Sequence, residues 1–233
     1  MRLPARYPAV IVACAMLAAC GGGGTTAPNA IPSPSPSPTP APRARYLVVF
    51  DATWHESTHA VPPNPHFSGL IGGTHRDAVR FWEEGRLASE GIKRMAELGA
   101  QSPLDQEVIA AMAAGTAEHL LAGDNLRGSP GSTQFEFEVS RDYPLVTLVT
   151  MVAPSPDWFV GVSALSLFEN GDWVREKEVP LAPWDAGTDS GVTFLSPDRP
   201  TQPRHPIARI TTPPLAASGM AAPLGRFTFR RIS

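Results

Sequence analysis

From Gly131 onward the chain alternates with period two. Phe135, Phe137 and Val139 interleave with Glu136, Glu138 and Ser140, which predicts a half-buried strand. The segment 145–153 is apolar throughout, and 158–168 has the same β-branched and aromatic bias, so both read as strands. Further strands are expected at 45–54, 173–181, 192–195, 207–212 and 226–232. Helical spacing replaces alternation between them. A first helical stretch, in pieces at 77–84 and 89–98, stops at Gly99. A second at 103–121 carries Leu104, Val108, Met112 and Leu120 on one face before Gly123. About eight short strands separated by Gly, Pro and Asp turns predict a mainly β fold, an antiparallel β-sandwich. The helices form an insertion after the first strand that covers one end or edge.

The N-terminus follows other rules. Arg2 and Arg6 precede a short apolar run at 9–19, too brief to span a bilayer and of secretory-signal type. Leu17-Ala18-Ala19-Cys20 resembles a bacterial lipobox, in which the signal 1–19 is cut away and the Cys20 thiol acylated. Gly21 in place of an aspartate favours the outer membrane, by similarity to lipoproteins of Gram-negative bacteria. Segment 20–43 is a Gly- and Pro-rich linker. Its alternating prolines from Pro32 to Pro42 impose polyproline II backbone, a stalk of roughly 30 Å at about 3.1 Å per residue. The domain proper is expected at 44–233. Cleavage also removes Cys14, leaving Cys20 alone and no disulfide within the mature chain.

Charge narrows the partners. Without Arg2 and Arg6, 17 basic residues face 22 acidic ones, a net −5. No basic block interleaves with aromatics, so a nucleic-acid partner is not expected. The membrane is reached through the N-terminal lipid only.

Two motifs bear chemistry. His55-Glu56-Ser57-Thr58-His59 is a literal H-E-x-x-H, the pattern of a zinc-dependent peptidase. That chemistry needs a helix to bring both imidazoles to one metal. Here the motif follows a predicted strand, with Pro62 and Pro63 just beyond. His66 and His75 extend the bias, since four of the six histidines lie between 55 and 75, but without a ligand-like spacing. His119 is expected near a helix C-terminus. The second motif is Pro183-Trp184-Asp185-Ala186-Gly187-Thr188-Asp189-Ser190-Gly191, with Ser155-Pro156-Asp157-Trp158 upstream. Carboxylates on glycine-punctuated backbone suit a hard cation such as Ca²⁺. They equally suit turns in which Asp bonds its own backbone. The EF-hand spacing is missing, as are a nucleophile elbow, a P-loop and a dinucleotide fingerprint.

These two aspartate segments resemble the signature of the spondin N-terminal domain family, which includes the F-spondin and mindin matrix proteins. The likeness extends through Tyr46, Phe50, Trp54, the run His66-Phe67-Ser68-Gly69-Leu70-Ile71-Gly72-Gly73-Thr74-His75, and Trp82. The resemblance implies a β-sandwich with a bound calcium ion. Carried over by motif, the ligands are Asp157, Asp185 and Asp189. Together with the lipobox-like N-terminus, the resemblance implies a surface-anchored recognition or adhesion module without catalysis, lodged in the cell envelope and directed at a protein or glycan ligand. Two alternatives stand beside it: the zinc peptidase, and a purely structural calcium site with the binding face elsewhere.

Overall fold

The computed structural model describes residues 41–233 apart from Ser218. The expected signal 1–19, Cys20 and the linker up to Pro40 lie outside the described residues. Along the described chain run β1 (Arg43–Ala52), β2 (His66–Phe67), β3 (Ile71–His75), α1 (Glu90–Leu98), α2 (Leu104–Ala113) and β4 (Ala117–Ala122). Then come β5 (Gly131–Ser140), β6 (Leu145–Ala153), β7 (Trp158–Ser166), β8 (Phe168–Glu169), β9 (Asp172–Trp173) and β10 (Glu176–Pro180). The chain closes with β11 (Trp184–Asp185), β12 (Ala208–Arg209) and β13 (Gly225–Arg231).

The smaller sheet has the order β10-β13-β1-β5, the larger β12-β11-β7-β6-β3-β4 with β2 beside β6, and every pairing is antiparallel. Alternation in β1 turns Tyr46, Val48 and Phe50 inward and leaves Arg43 and Arg45 in solvent. They meet Phe227 and Phe229 of β13, then Val146, Leu148, Val160 and Val162 of the opposite sheet. Phe50 packs edge-to-face on Phe67 and Phe227, with ring centroids 4.9 and 5.4 Å away. Each such side chain, fully buried, contributes about 1.5–3 kcal/mol. The sandwich expectation holds.

The unbroken apolar run of β6 has a tertiary cause. Val146, Leu148 and Val152 face the sandwich interior, while Val149, Met151 and Ala153 face a second core with Ile92, Met95 and Leu104 of the helices. With both faces covered, no position is left for a solvated side chain. The helices therefore cover a face of the larger sheet, not an end or edge as the sequence reading had it. They also follow β3, two short strands later than the insertion point expected. Ser89 caps α1 by accepting from Ile92 N at 3.1 Å, and Glu107 of α2 accepts from Gly91 N and Ser89 Oγ, both at 2.7 Å. Gly99, at φ 64°, ends it.

Three local expectations fail. The second helix stops at Ala113, because Gly115 turns at φ 70° and the chain re-enters the larger sheet as β4. His119 accordingly lies on a strand, not at a helix terminus. Residues 77–84 are not helical: Trp82 instead donates its indole N–H to Val162 O at 3.3 Å, and its own carbonyl accepts from Ser163 Oγ. Residues 192–195 form a loop, since Ser196 Oγ accepts from Val192 N and Thr193 N at 3.1 and 3.0 Å.

One buried polar brace shapes β7. His75 Nδ1 lies 2.8 Å from the Arg76 carbonyl, which can only accept, so this nitrogen carries the proton. Nε2 then accepts from the Thr147 hydroxyl at 2.8 Å, and Thr147 Oγ1 accepts from Ala164 N at 3.0 Å. Burial pushes the His75 pKa down, in keeping with a neutral ring. The brace holds a β-bulge in which Ser163 and Ala164 oppose Thr147 alone, with Ala164 at φ 49°.

Candidate functional site

The turn from β6 into β7 places Asp157, and Ser155 Oγ shapes that turn by accepting from Trp158 N at 3.1 Å. Beside it, β11 pairs with β7 in the register Trp184 to Phe159 and Asp185 to Trp158. This short pairing sets Asp185 against the Asp157 turn, and Ala186 N donates to Asp157 O at 3.2 Å. Gly187 then turns the chain at φ 73° within reach of residue 205. A Cβ there would lie 2.1 Å from His205 O, so only glycine fits.

Asp157 is wholly buried. Its Oδ2 accepts from Thr188 N (2.7 Å), Asp189 N (3.0 Å) and Thr188 Oγ1 (3.2 Å). Its Oδ1 is equally buried and has no hydrogen-bond partner among the described residues. Burial, and then the negative charge of Asp185, pushes the Asp157 pKa up to about 7 against the pull of those three donors. Asp185 accepts from Gly187 N at 2.7 Å, and its pKa is also raised by burial, with nearby His205 acting in the opposite direction. Asp189 spends Oδ1 on Gly191 N (2.7 Å) and Oδ2 on Arg199 N (2.6 Å), closing the loop 189–199. His205 N to Gly187 O and Thr201 N to Thr188 O, both 2.9 Å, pin the returning chain.

The three aspartates from separate sequence positions thus gather at one rim of the sandwich. Their carboxylates turn largely to backbone amides. Among the described residues no three or more His, Cys, Asp or Glu side chains form a ready metal-ligating group. The chemistry nevertheless fits a hard cation: a buried carboxylate oxygen lacks any donor among the described residues, and the charge of Asp185 adds to the cost of ionising Asp157. Sequence reading overlooked Thr188 and His205. Thr188 sits inside the quoted motif, but a threonine there carries no signature of its own, and residue 205 is brought in only by the loop's return.

The other singled-out residues lie apart. Residues 55–59 form an exposed turn, not a helix, with Thr58 N and His59 N both donating to His55 O at 2.9 and 3.0 Å. His59 Nε2 lies 3.1 Å from Ala222 O, His66 Nδ1 lies 2.8 Å from Asn64 O, and His75 is committed to its brace. These rings share no centre. Trp158, Trp173 and Trp184 are all buried. No helix among the described residues is long and apolar enough to cross a membrane.

Comparison with known proteins finds clear relatives of this sequence. Spondin-1 of Homo sapiens is 40% identical over 183 residues, covering 72% of this chain and 22% of that protein. Spondin-1 of Xenopus laevis is 36% identical over 210 residues, 82% of this chain and 25% of the relative. Spondin-2 of Homo sapiens is 32% identical over 195 residues, 81% and 57% respectively. The chain therefore spans about a quarter of the spondin-1 relatives it matches and somewhat over half of spondin-2. The sequence model of the Spondin_N family matches residues 44–219, and the chain belongs to that spondin N-terminal domain family.

Proposed function

We propose that this protein is a calcium-binding recognition module displayed outside the cell, working by adhesion and not by catalysis. The single observation that carries the cation is Asp157 Oδ1, a buried carboxylate oxygen without a donor among the described residues, beside the partly buried acid Asp185. Asp157, Asp185 and Asp189 would hold the ion, with backbone carbonyls and water completing six to eight oxygens. Calcium supplies positive charge there and no bond-making chemistry. It would stabilise the folded rim by mass action and pre-order the loop 189–199 for a partner. Val192 and Leu195, 72% and 67% exposed on that loop, offer apolar contact beside the ion. Family membership and the spondin relatives support an extracellular role. Cys20 would carry the lipid that tethers the domain to the cell envelope, through the stalk and at the outer membrane.

Calorimetric titration with calcium tests the site. The wild-type chain is expected to give saturable heat and a raised melting temperature, both lost in Asp185→Asn/Asp189→Asn. A wild type without either response sinks the cation. Partner capture from envelope or matrix extracts, in calcium and then in chelator, separates a recognising ion from a merely structural one. Capture unchanged by chelator, from a protein that stays folded, assigns the binding face elsewhere.

A further inference from the structure

Beside β7 the two-residue β11 ends, and beyond Val160 the outer edge of β7 has no strand neighbour among the described residues. A cavity of about 500 Å³ opens there, bounded by the 80–84 loop and by Val179 and Pro180 of β10. This volume lies inside the roughly 300–1,000 Å³ range of small-ligand sites. Its apolar lining comes from Trp82, Val162, Leu165, Val179 and Pro180. The bulge at Ala164 faces it as well, a residue held at φ 49° by the His75–Thr147 brace. Bulges re-aim side chains beside functional sites, and a non-glycine residue in that conformation persists only where its surroundings hold it there.

The charged lining has both signs. Arg209 sits over the Trp184 ring, its guanidinium carbon 3.8 Å from the ring centroid, and no carboxylate is within ion-pair distance of it among the described residues. A guanidinium over a ring face keeps its N–H groups available, and these match a planar acceptor such as a carboxylate. Arg80, by contrast, is committed to Asp77 and to the carbonyls of Asp77 and Val79. Glu83 makes only a long 3.8 Å contact with Arg86, and Glu84 is exposed and makes no ion pair among the described residues. A bare anion would meet the two glutamates, and a bare cation the two arginines. A ligand that carries both charges on an apolar body satisfies all of them.

We propose that this cavity binds a small zwitterion with an apolar side chain, an α-amino acid or dipeptide. Its carboxylate pairs with Arg209, its ammonium with Glu84 and Glu83, and its side chain packs on the Trp82–Leu165–Val179 wall. The site is separate from the three aspartates and needs no cation.

The test uses the full chain in chelator, so its outcome does not depend on the calcium reading. Leucine, phenylalanine and Leu-Leu are titrated by calorimetry, alongside isoamylamine and 4-methylpentanoate, which each lack one charge of leucine. At least one of the zwitterions is expected to bind saturably at one site. Either singly charged analogue should bind about tenfold more weakly or worse, the loss of one charge-assisted pairing. Arg209→Met and Glu84→Gln should each weaken binding about tenfold while the melting temperature stays near wild type. Arg209→Gln repeats the first test should the methionine variant not fold. No saturable binding up to about 10 mM, where only some 3 kcal/mol of affinity would remain, overturns the proposal. So does equal affinity for either analogue, or wild-type affinity in the folded variants.

Discussion

The interior between the two sheets and the acidic rim at their end are both buried, yet their energetics oppose each other. Inside, Phe50, Phe227 and Phe229 pack on apolar neighbours, Tyr46 satisfies its hydroxyl on the Leu167 and Val174 carbonyls, and burial itself supplies the stabilisation. At the rim, burial works against Asp157 and Asp185, whose charged forms lose water and gain a few hydrogen-bond donors, mostly backbone N–H groups, in return. A side chain that makes the fold more stable in the first region has its counterpart in one that makes it less stable in the second. The difference teaches where to look for a ligand: a cation at the rim, as proposed, would offset that cost.

The largest break in this comparison comes from the interior. Phe50→Ala should cost about 3–5 kcal/mol in denaturant unfolding, by the same amount with calcium and with chelator. A calcium-dependent cost would mean that the two regions are coupled. Next in size is calcium on the wild type, which at about 100 times its Kd should add roughly 2.7 kcal/mol.

Asp157→Asn should cancel that gain and raise the melting point of the chelated protein, about 2–4 °C for each kcal/mol recovered. The amide keeps an oxygen for the Thr188 and Asp189 N–H groups and removes the charge that Asp185 opposes. Lowered stability of this variant in chelator would contradict the proposed cost of the buried charge.

The pH profile sharpens the same point. The folded-state pKa of Asp157, about 7, stands above its ordinary 3.8. Stability from this group is therefore whole below about pH 4 and is lost as pH rises through about 7. His75 runs the other way: its pKa is lowered from 6.5, so its contribution is present above that value and is lost as pH falls. In chelated protein, Asp157→Asn should flatten the loss between pH 4 and 7 without changing the acid limb. A profile identical to wild type would place the titrating group elsewhere.

Thr147→Val leaves Ala164 N and His75 Nε2 without partners and should cost about 1–3 kcal/mol. Ser89→Ala, the loss of a helix cap, should cost about 1 kcal/mol.

Much of the fold is legible in single segments. The alternation at 135–139, the aromatic run of β1 and the Ser89 to Gly99 helix each carry their own periodicity and punctuation, because each responds to one burial face or one cap. Resemblance in the two aspartate segments adds the candidate residues Asp157, Asp185 and Asp189, which the fold brings to one rim. What failed was local pattern without local cause. The apolar face through Leu120 reads as helix continued, yet Leu120 and Leu121 lie on β4, in the larger sheet beside β3. Residues 77–84 and 192–195 have helix and strand propensity, but Trp82 is claimed by β7, and Phe194 by Trp54 and Trp158.

The amino-acid order alone determined the β-rich class, the strands whose faces alternate and the acids available for a cation. Only the tertiary structure decided that the helices cover a sheet face, that Asp157 loses all solvent, and that Arg209 comes to rest on Trp184. Periodicity encodes which side of an element is apolar. Desolvation and charge pairing depend on which distant segments arrive there, and no window of the sequence contains that.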